Sequence, residues 1–151
     1  MQRRTFLLLA SATGVLPGRS LAATPEIWGA RQAADALAAA QITLIDVRTR
    51  DEWRETGIAK GGWPISMHES GFQDRFFAAS ALSGDKPVAL ICATGGRSGR
   101  LLRALQRAGH DSYVDVSEGM LGSPRGPGWL ASGLPVVTLK RALQEMPEAL
   151  R

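Results

Sequence analysis

The chain has 151 residues, enough for one domain with a sizeable core, and it shows no internal repeat that would mark a second. A single cysteine excludes an internal disulfide and a resolving thiol, and two histidines far apart in sequence leave no spacing for a metal site, so neither a metal nor a cofactor is expected. The formal charge of +4 includes Arg3, Arg4 and Arg19, which lie in a stretch without acidic residues; the rest holds 15 basic against 14 acidic side chains, which gives no case for nucleic acid or an anionic membrane as partner.

Residues 1–22 read as an export leader. Arg3-Arg4 open it, Thr5 to Ala10 begin a short apolar run, and Ser20-Leu21-Ala22 offers a small-residue cleavage site before Ala23. Arg3-Arg4-Thr5-Phe6-Leu7 resembles the twin-arginine motif, with the general secretory route as the alternative. Gly14 and Pro17 break the run, so no stable membrane anchor is expected and the mature protein is placed in the periplasm or otherwise outside the cytoplasm.

Ile27-Trp28 reads as a first strand and Ala30 to Ala40 as a helix with Ala33, Leu37 and Ala40 on one face. Ile42 to Ile45 reads as a strand ending in Asp46-Val47-Arg48. Asp46 and Arg48 either orient neighbouring loops or form an internal ion pair that holds the fold. Asp51 to Glu55 forms a helical turn stopped by Gly57, and Gly61-Gly62 a further turn. Trp63 to Ile65 is a short strand. From Gly71 to Leu82, Phe72, Phe76, Phe77 and Ala81 mark a helical core face.

The chain is organised around residues 87–103. Val88 to Ile91 is an apolar run bounded by Pro87 and by glycines, the pattern of a strand buried on both faces. Leu101, Leu102, Leu105 and Ala108 then recur at helical spacing up to Gly109. Cys92 therefore falls at the carboxyl end of a central strand, where open α/β sheets hold ligands. Ala93-Thr94-Gly95-Gly96-Arg97-Ser98 follows. Two glycines let backbone N–H groups turn inward, the next helix adds the positive end of its dipole, and Arg97 adds a charge. Such a ring favours a thiolate, so Cys92 reads as a nucleophile rather than a small buried hydrophobe. Arg97 is expected to support the loop and its field and to reach substrate, Ser98 to cap the helix, and Arg100 to help draw in an anion. Ser112 to Val116 is the last sheet strand. Residues 119–128, with four glycines, two prolines and Arg125, are expected to form a long mobile loop at the same sheet end. Trp129 to Ala131 is a short helix closed by Gly133. Leu139, Leu143, Met146 and Leu150 form a weak stripe that packs back or meets a partner, with fraying favoured by Pro147.

Cys92-Ala93-Thr94-Gly95-Gly96-Arg97-Ser98 resembles the active loop of the rhodanese sulfurtransferases, and Leu44 to Trp53 resembles the family's other hallmark. Four residues separate cysteine from arginine, the loop length of the sulfur-transferring branch rather than of cysteine phosphatases. The resemblance implies a three-layer α/β domain over residues 23–137, with a central, mostly parallel five-stranded sheet and helices on both faces, and a tail at 138–151. It favours the ion-pair role for Asp46 and Arg48. The chain departs from the pattern at Ile58, where the family has histidine, and at Lys60-Gly61-Gly62, where it has proline-glycine-alanine. The implied activity is transfer of a sulfane sulfur. Cys92 takes it from a small anionic donor such as thiosulfate, holds it as a persulfide stabilised by the N–H groups of Ala93 to Arg97, and yields it to a thiol or cyanide. The alternative is a persulfide carrier or sensor serving an exported partner protein. A thiol phosphatase or arsenate reductase fits less well, given the short loop and the lack of a second cysteine.

Overall fold

The computed structural model describes residues 26–151. The expected leader and the cleavage at Ala23 lie outside the described residues.

The elements follow the chain as β1 (Glu26–Trp28), α1 (Ala30–Ala38), β2 (Thr43–Asp46), α2 (Arg50–Thr56), β3 (Ile58–Ala59), β4 (Trp63–Pro64), α3 (Phe72–Leu82), β5 (Val88–Ile91), α4 (Gly96–Arg107), β6 (Tyr113–Val116), α5 (Gly128–Ala131), β7 (Val136–Val137) and α6 (Leu139–Glu145). A 3-10 turn over Glu148–Leu150 ends the chain. Five strands form one sheet in the order β1-β6-β5-β2-β4, and every pairing in it is parallel. Parallel strands are covered on both faces, which is why β2, β5 and β6 are buried at every position.

Alternation along the strands divides the core in two. Ile45, Val88, Leu90, Cys92 and Tyr113 face α3 and α4, meeting Phe76, Ala79, Leu102 and Leu105. Leu44, Ala89, Ile91, Val114 and Val116 face the other way, against Ala30, Ala33 and Ala36 of α1 and Trp129 of α5. No described helix is long and apolar enough to cross a membrane.

Four expectations are corrected. The 57–62 segment is more than a turn: β3 pairs antiparallel with β7, and Ile58 is fully buried with Trp53 and Ala142. Ala81 is exposed, and Ala79 takes the core position on α3, because the 3.6-residue period from buried Phe76 brings Ala79 to the same face and carries Ala81 round from it. The 119–128 segment is tied down rather than loose. Met120 N–H and Leu121 N–H donate to the carbonyls of Cys92 and Ala93, and Glu118 accepts from the N–H groups of Ala30 and Gly128. The chain end does not fray either. Ala142, Met146 and Leu150 are buried, and Arg75 Nη2 donates to the Leu150 carbonyl at 3.0 Å.

Candidate functional site

β5 delivers Cys92 to the carboxyl edge of the sheet, between β2 and β6. Its side chain is 1 % exposed. The Gly95 N–H donates to Cys92 Sγ at 3.2 Å, and the Ser98 hydroxyl reaches it at 3.3 Å. The sulfur thus lies against the first turn of α4, where unpaired N–H groups and the helix dipole favour negative charge.

The turn around the sulfur depends on glycine. Gly95 has φ +82°, and a Cβ there would stand 2.2 Å from the Ser117 carbonyl oxygen. Gly119 has φ +68°, and its Cβ would stand 2.3 Å from the Ala93 carbonyl oxygen. The Cys92 loop and the turn after β6 therefore pack backbone against backbone, at two points that admit no side chain.

One expected role changes. Ser98 does not cap α4: the N-cap is Gly95, without a side-chain cap bond, and Ser98 sits fully buried one turn in, its hydroxyl on the sulfur instead. Arg97 supports the loop as expected, with its charge compensated by a partner the sequence did not point to. Its guanidinium holds Glu52 of α2 in a two-pronged contact at 2.9 and 2.5 Å, with His68 Nε2 at 3.1 Å. The Arg97 hydrogen bonds lower the Glu52 carboxyl from 4.5 to about 2. Glu52 also accepts from Thr49 N–H at 2.9 Å in the capping box that starts α2. Arg97 is therefore a strut from the loop to α2, with its charge compensated. Thr49 and Glu52 have the spacing of a capping box, a signal the sequence reading missed and one that marks only a helix start; nothing local to either residue points to an arginine 45 positions away.

Asp46 and Arg48 are both fully buried. Arg48 Nη2 meets Asp46 Oδ2 at 2.8 Å, and the guanidinium also donates to Thr56 Oγ1 and the Gly57 carbonyl. Its work is to fasten the end of β2 to the end of α2. Arg100 is exposed, and its side chain forms no ion pair among the described residues. Thr94 and Gly96 face solvent on the loop, while Ala93 is half-buried.

A parallel α/β sheet with a cysteine at the carboxyl end of its central strand, cradled by a glycine turn and a helix N-terminus, is the arrangement expected of the rhodanese class of domain. The chain belongs to that family: the model of the rhodanese-like domain matches residues 29–122. It is similar to an uncharacterized protein of Rickettsia prowazekii, 26 % identical over 98 residues that cover 61 % of this chain and 80 % of that one. Among solved structures, it resembles a thiosulfate sulfurtransferase from Pseudomonas aeruginosa with TM-score 0.59 and 21 % identity, covering 76 % of this chain but only 20 % of that one. It also resembles a polysulfide-sulfur transferase homodimer from Wolinella succinogenes, with TM-score 0.54 and 27 % identity, covering 76 % and 79 % of the two chains.

Proposed function

We propose that this protein is an exported sulfurtransferase that moves a sulfane sulfur through a persulfide on Cys92. The observation that carries the reading is the seat of Cys92 Sγ, within 3.2 Å of the Gly95 N–H at the start of α4. A thiolate there attacks the outer sulfur of a donor such as thiosulfate. The new S–S bond forms as the donor's own S–S bond breaks, and sulfite leaves with the electron pair. A thiol or cyanide then takes the outer sulfur and returns Cys92. Covalent catalysis of this kind splits one transfer into two easier steps, and the N–H groups of the loop stabilise the charged sulfur in both. The test is intact-mass measurement after exposure to thiosulfate or inorganic polysulfide. Uptake of one sulfur atom per chain supports the reading, and no uptake from either sinks it.

Export is part of the proposal and has its own check. Arg3-Arg4 followed by Thr5-Phe6-Leu7 motivates it. Replacing both arginines by lysine is expected to stop delivery of the folded protein, read by fractionation of the native host. Unchanged delivery would reassign the route to general secretion, and an intact Met1 on cytoplasmic protein would overturn export itself.

The Arg97 strut yields a charge prediction. Glu52→Gln keeps an acceptor for Thr49 but removes the charge that compensates Arg97. Loading from anionic thiosulfate is expected to rise about two- to fivefold at low salt, the effect of about 0.3–1 kcal/mol for a partly exposed charge. The gain should fade at high salt and be absent for a neutral trisulfide. Equal rates for parent and variant at low salt would show that Arg97 exerts no pull on the donor. The variant also loses whatever stability the pair contributes. Because folding lowers the Glu52 carboxyl, that contribution is complete above pH 4.5 and disappears as pH falls through about 2. Parent and variant should therefore converge in stability in strong acid.

A further inference from the structure

The apolar stripe near the end of the chain divides its work. Met146 and Leu150 are buried in the core, while Leu139 and Leu143 stay half-buried. These two stand one turn apart on α6 and floor a groove of about 640 Å³ against α2. Cations make its walls: Arg50 and Arg54, one turn apart on α2, with Lys140 at the start of α6 and Arg151. No carboxylate side chain lines it among the described residues. Four cations therefore meet in one groove of a chain that carries 15 basic against 14 acidic side chains after Arg19. Their charge is thinly compensated. Arg54 pairs with Asp51, which is 93 % exposed, and a pair that open to water contributes little. Arg50 shares Glu69 with Arg75. Arg151 donates to the carbonyls of Gln144 and Met146, and Lys140 has no ion pair among the described residues.

The groove begins beside the Cys92 loop. The end of β2 pairs with the end of β5, so both deliver their chains to the same sheet edge, and Arg50 is the first residue of the helix that follows β2. Two residues further on, Glu52 holds Arg97. From the other side, the Glu69 that meets Arg50 follows His68, whose Nε2 lies 3.1 Å from Arg97 Nη1. A lone anion has no use for a floor of two leucines, and a nucleic-acid track has no use for it either. A peptide segment with apolar side chains flanked by carboxylates matches both floor and walls. We propose that the groove between α2 and α6 docks an acidic, partly apolar segment of the protein that accepts sulfur from Cys92. The proposal rests on the reading of Cys92 as the seat of a persulfide. In the transfer, the partner's thiolate attacks the outer sulfur of that persulfide. A new S–S bond forms, the old one breaks, and Cys92 leaves as the thiolate with the electron pair. The partner departs as the persulfide, with no net oxidation or reduction. The cations raise the encounter rate with an acidic partner, and the leucine floor lengthens its stay.

Two synthetic peptides test it. One carries leucines one helical turn apart among glutamates, with a terminal cysteine; the other has glutamine at every glutamate. Binding is read by fluorescence anisotropy on the full chain carrying Cys92→Ser, which removes the sulfur chemistry. At about 0.01 M salt the acidic peptide should bind roughly tenfold more tightly than the glutamine peptide, and at about 1 M the two should bind alike. Arg54→Glu with Lys140→Glu should abolish the preference. Arg54→Gln with Lys140→Gln, which adds no repulsion, should weaken it severalfold. Both positions are exposed, and glutamate in the first turn of α6 suits the helix dipole, so circular dichroism should match the parent. Lys86→Glu with Arg107→Glu makes the same change in net charge at exposed positions outside the groove and should keep the preference. Loss of the preference in that control, or its survival in both Arg54/Lys140 variants, overturns the proposal. So does a dimer of the parent that Arg54→Glu with Lys140→Glu dissolves in sedimentation, which would give the groove to a second copy. Capture by phosphatidylglycerol vesicles without any preference for the acidic peptide overturns it as well. Sulfur transfer is read separately: the parent is loaded from thiosulfate, and intact mass follows its discharge to each peptide. Discharge to the acidic peptide should be faster by a similar factor at low salt. A parent that prefers the acidic peptide but takes up no sulfur sinks the function and leaves the docking surface standing. A parent that loads from thiosulfate and treats the two peptides alike sinks the docking surface and leaves the function standing.

Discussion

Cys92→Ser should reduce sulfur uptake to below about 1 % of the parent, because a hydroxyl is far less acidic than a thiol and stays a weak nucleophile in this loop. The fold should survive. The Gly95 N–H and the Ser98 hydroxyl that now meet Sγ at 3.2 and 3.3 Å are polar groups that an oxygen can also satisfy. The replacement is smaller than the thiol and leaves little void, so unfolding should shift by no more than about 1 kcal/mol. Intact mass after donor treatment gives the first readout and denaturant unfolding the second. Uptake in the serine variant above a few per cent of parent would put the sulfur on another group. Loss of both uptake and fold would make Cys92 a core residue first and a nucleophile second.

Apolar runs bounded by turns were enough to place single strands, because strands buried on both faces leave continuous apolar sequence; their assembly into a five-stranded parallel sheet came from the resemblance to the rhodanese family. Val88 to Ile91 shows this plainly. The seat of Cys92 was legible for the same reason: a strand, two glycines and a helical repeat fix where the side chain emerges. Partners across the fold were not legible. The sequence around Arg97 describes a cation beside a nucleophile, while the structure gives that cation to Glu52 on another element. Ser98 stands where a cap would be expected by residue type, yet Gly95 with φ +82° takes the N-cap and turns Ser98 toward the sulfur. The glycines of 119–128 suggested looseness, yet they are there because backbone packs on backbone, as at Gly119 on Ala93. Composition reports conformational freedom in the unfolded chain; it does not report which hydrogen bonds remove that freedom.

The largest loss of stability is expected from Asp46→Ala. Arg48 is fully buried, and its guanidinium makes contacts at 2.8 Å to Asp46 Oδ2, 2.7 Å to Thr56 Oγ1 and 2.8 Å to the Gly57 carbonyl. Removing the carboxylate leaves a cation in the core with only neutral acceptors, which typically costs about 3–5 kcal/mol. A domain of this size holds roughly 5–15 kcal/mol in total, so the variant should be on the edge of unfolding at ambient temperature. The damage should also travel. Arg48 fixes the end of α2, α2 carries Glu52, and Glu52 holds Arg97 beside the Cys92 loop. Sulfur loading should therefore fall even in the fraction that remains folded. Denaturant midpoints measure the stability, and single-turnover loading per folded chain measures the coupling. The control is the double variant Asp46→Ala with Arg48→Met, which removes the stranded charge together with its partner. It should recover part of the loss, since an apolar replacement of a buried pair costs far less than breaking it. If the double variant is as unstable as the sum of the two singles, the pair acts by packing alone, and its charges do not hold the sheet edge to α2.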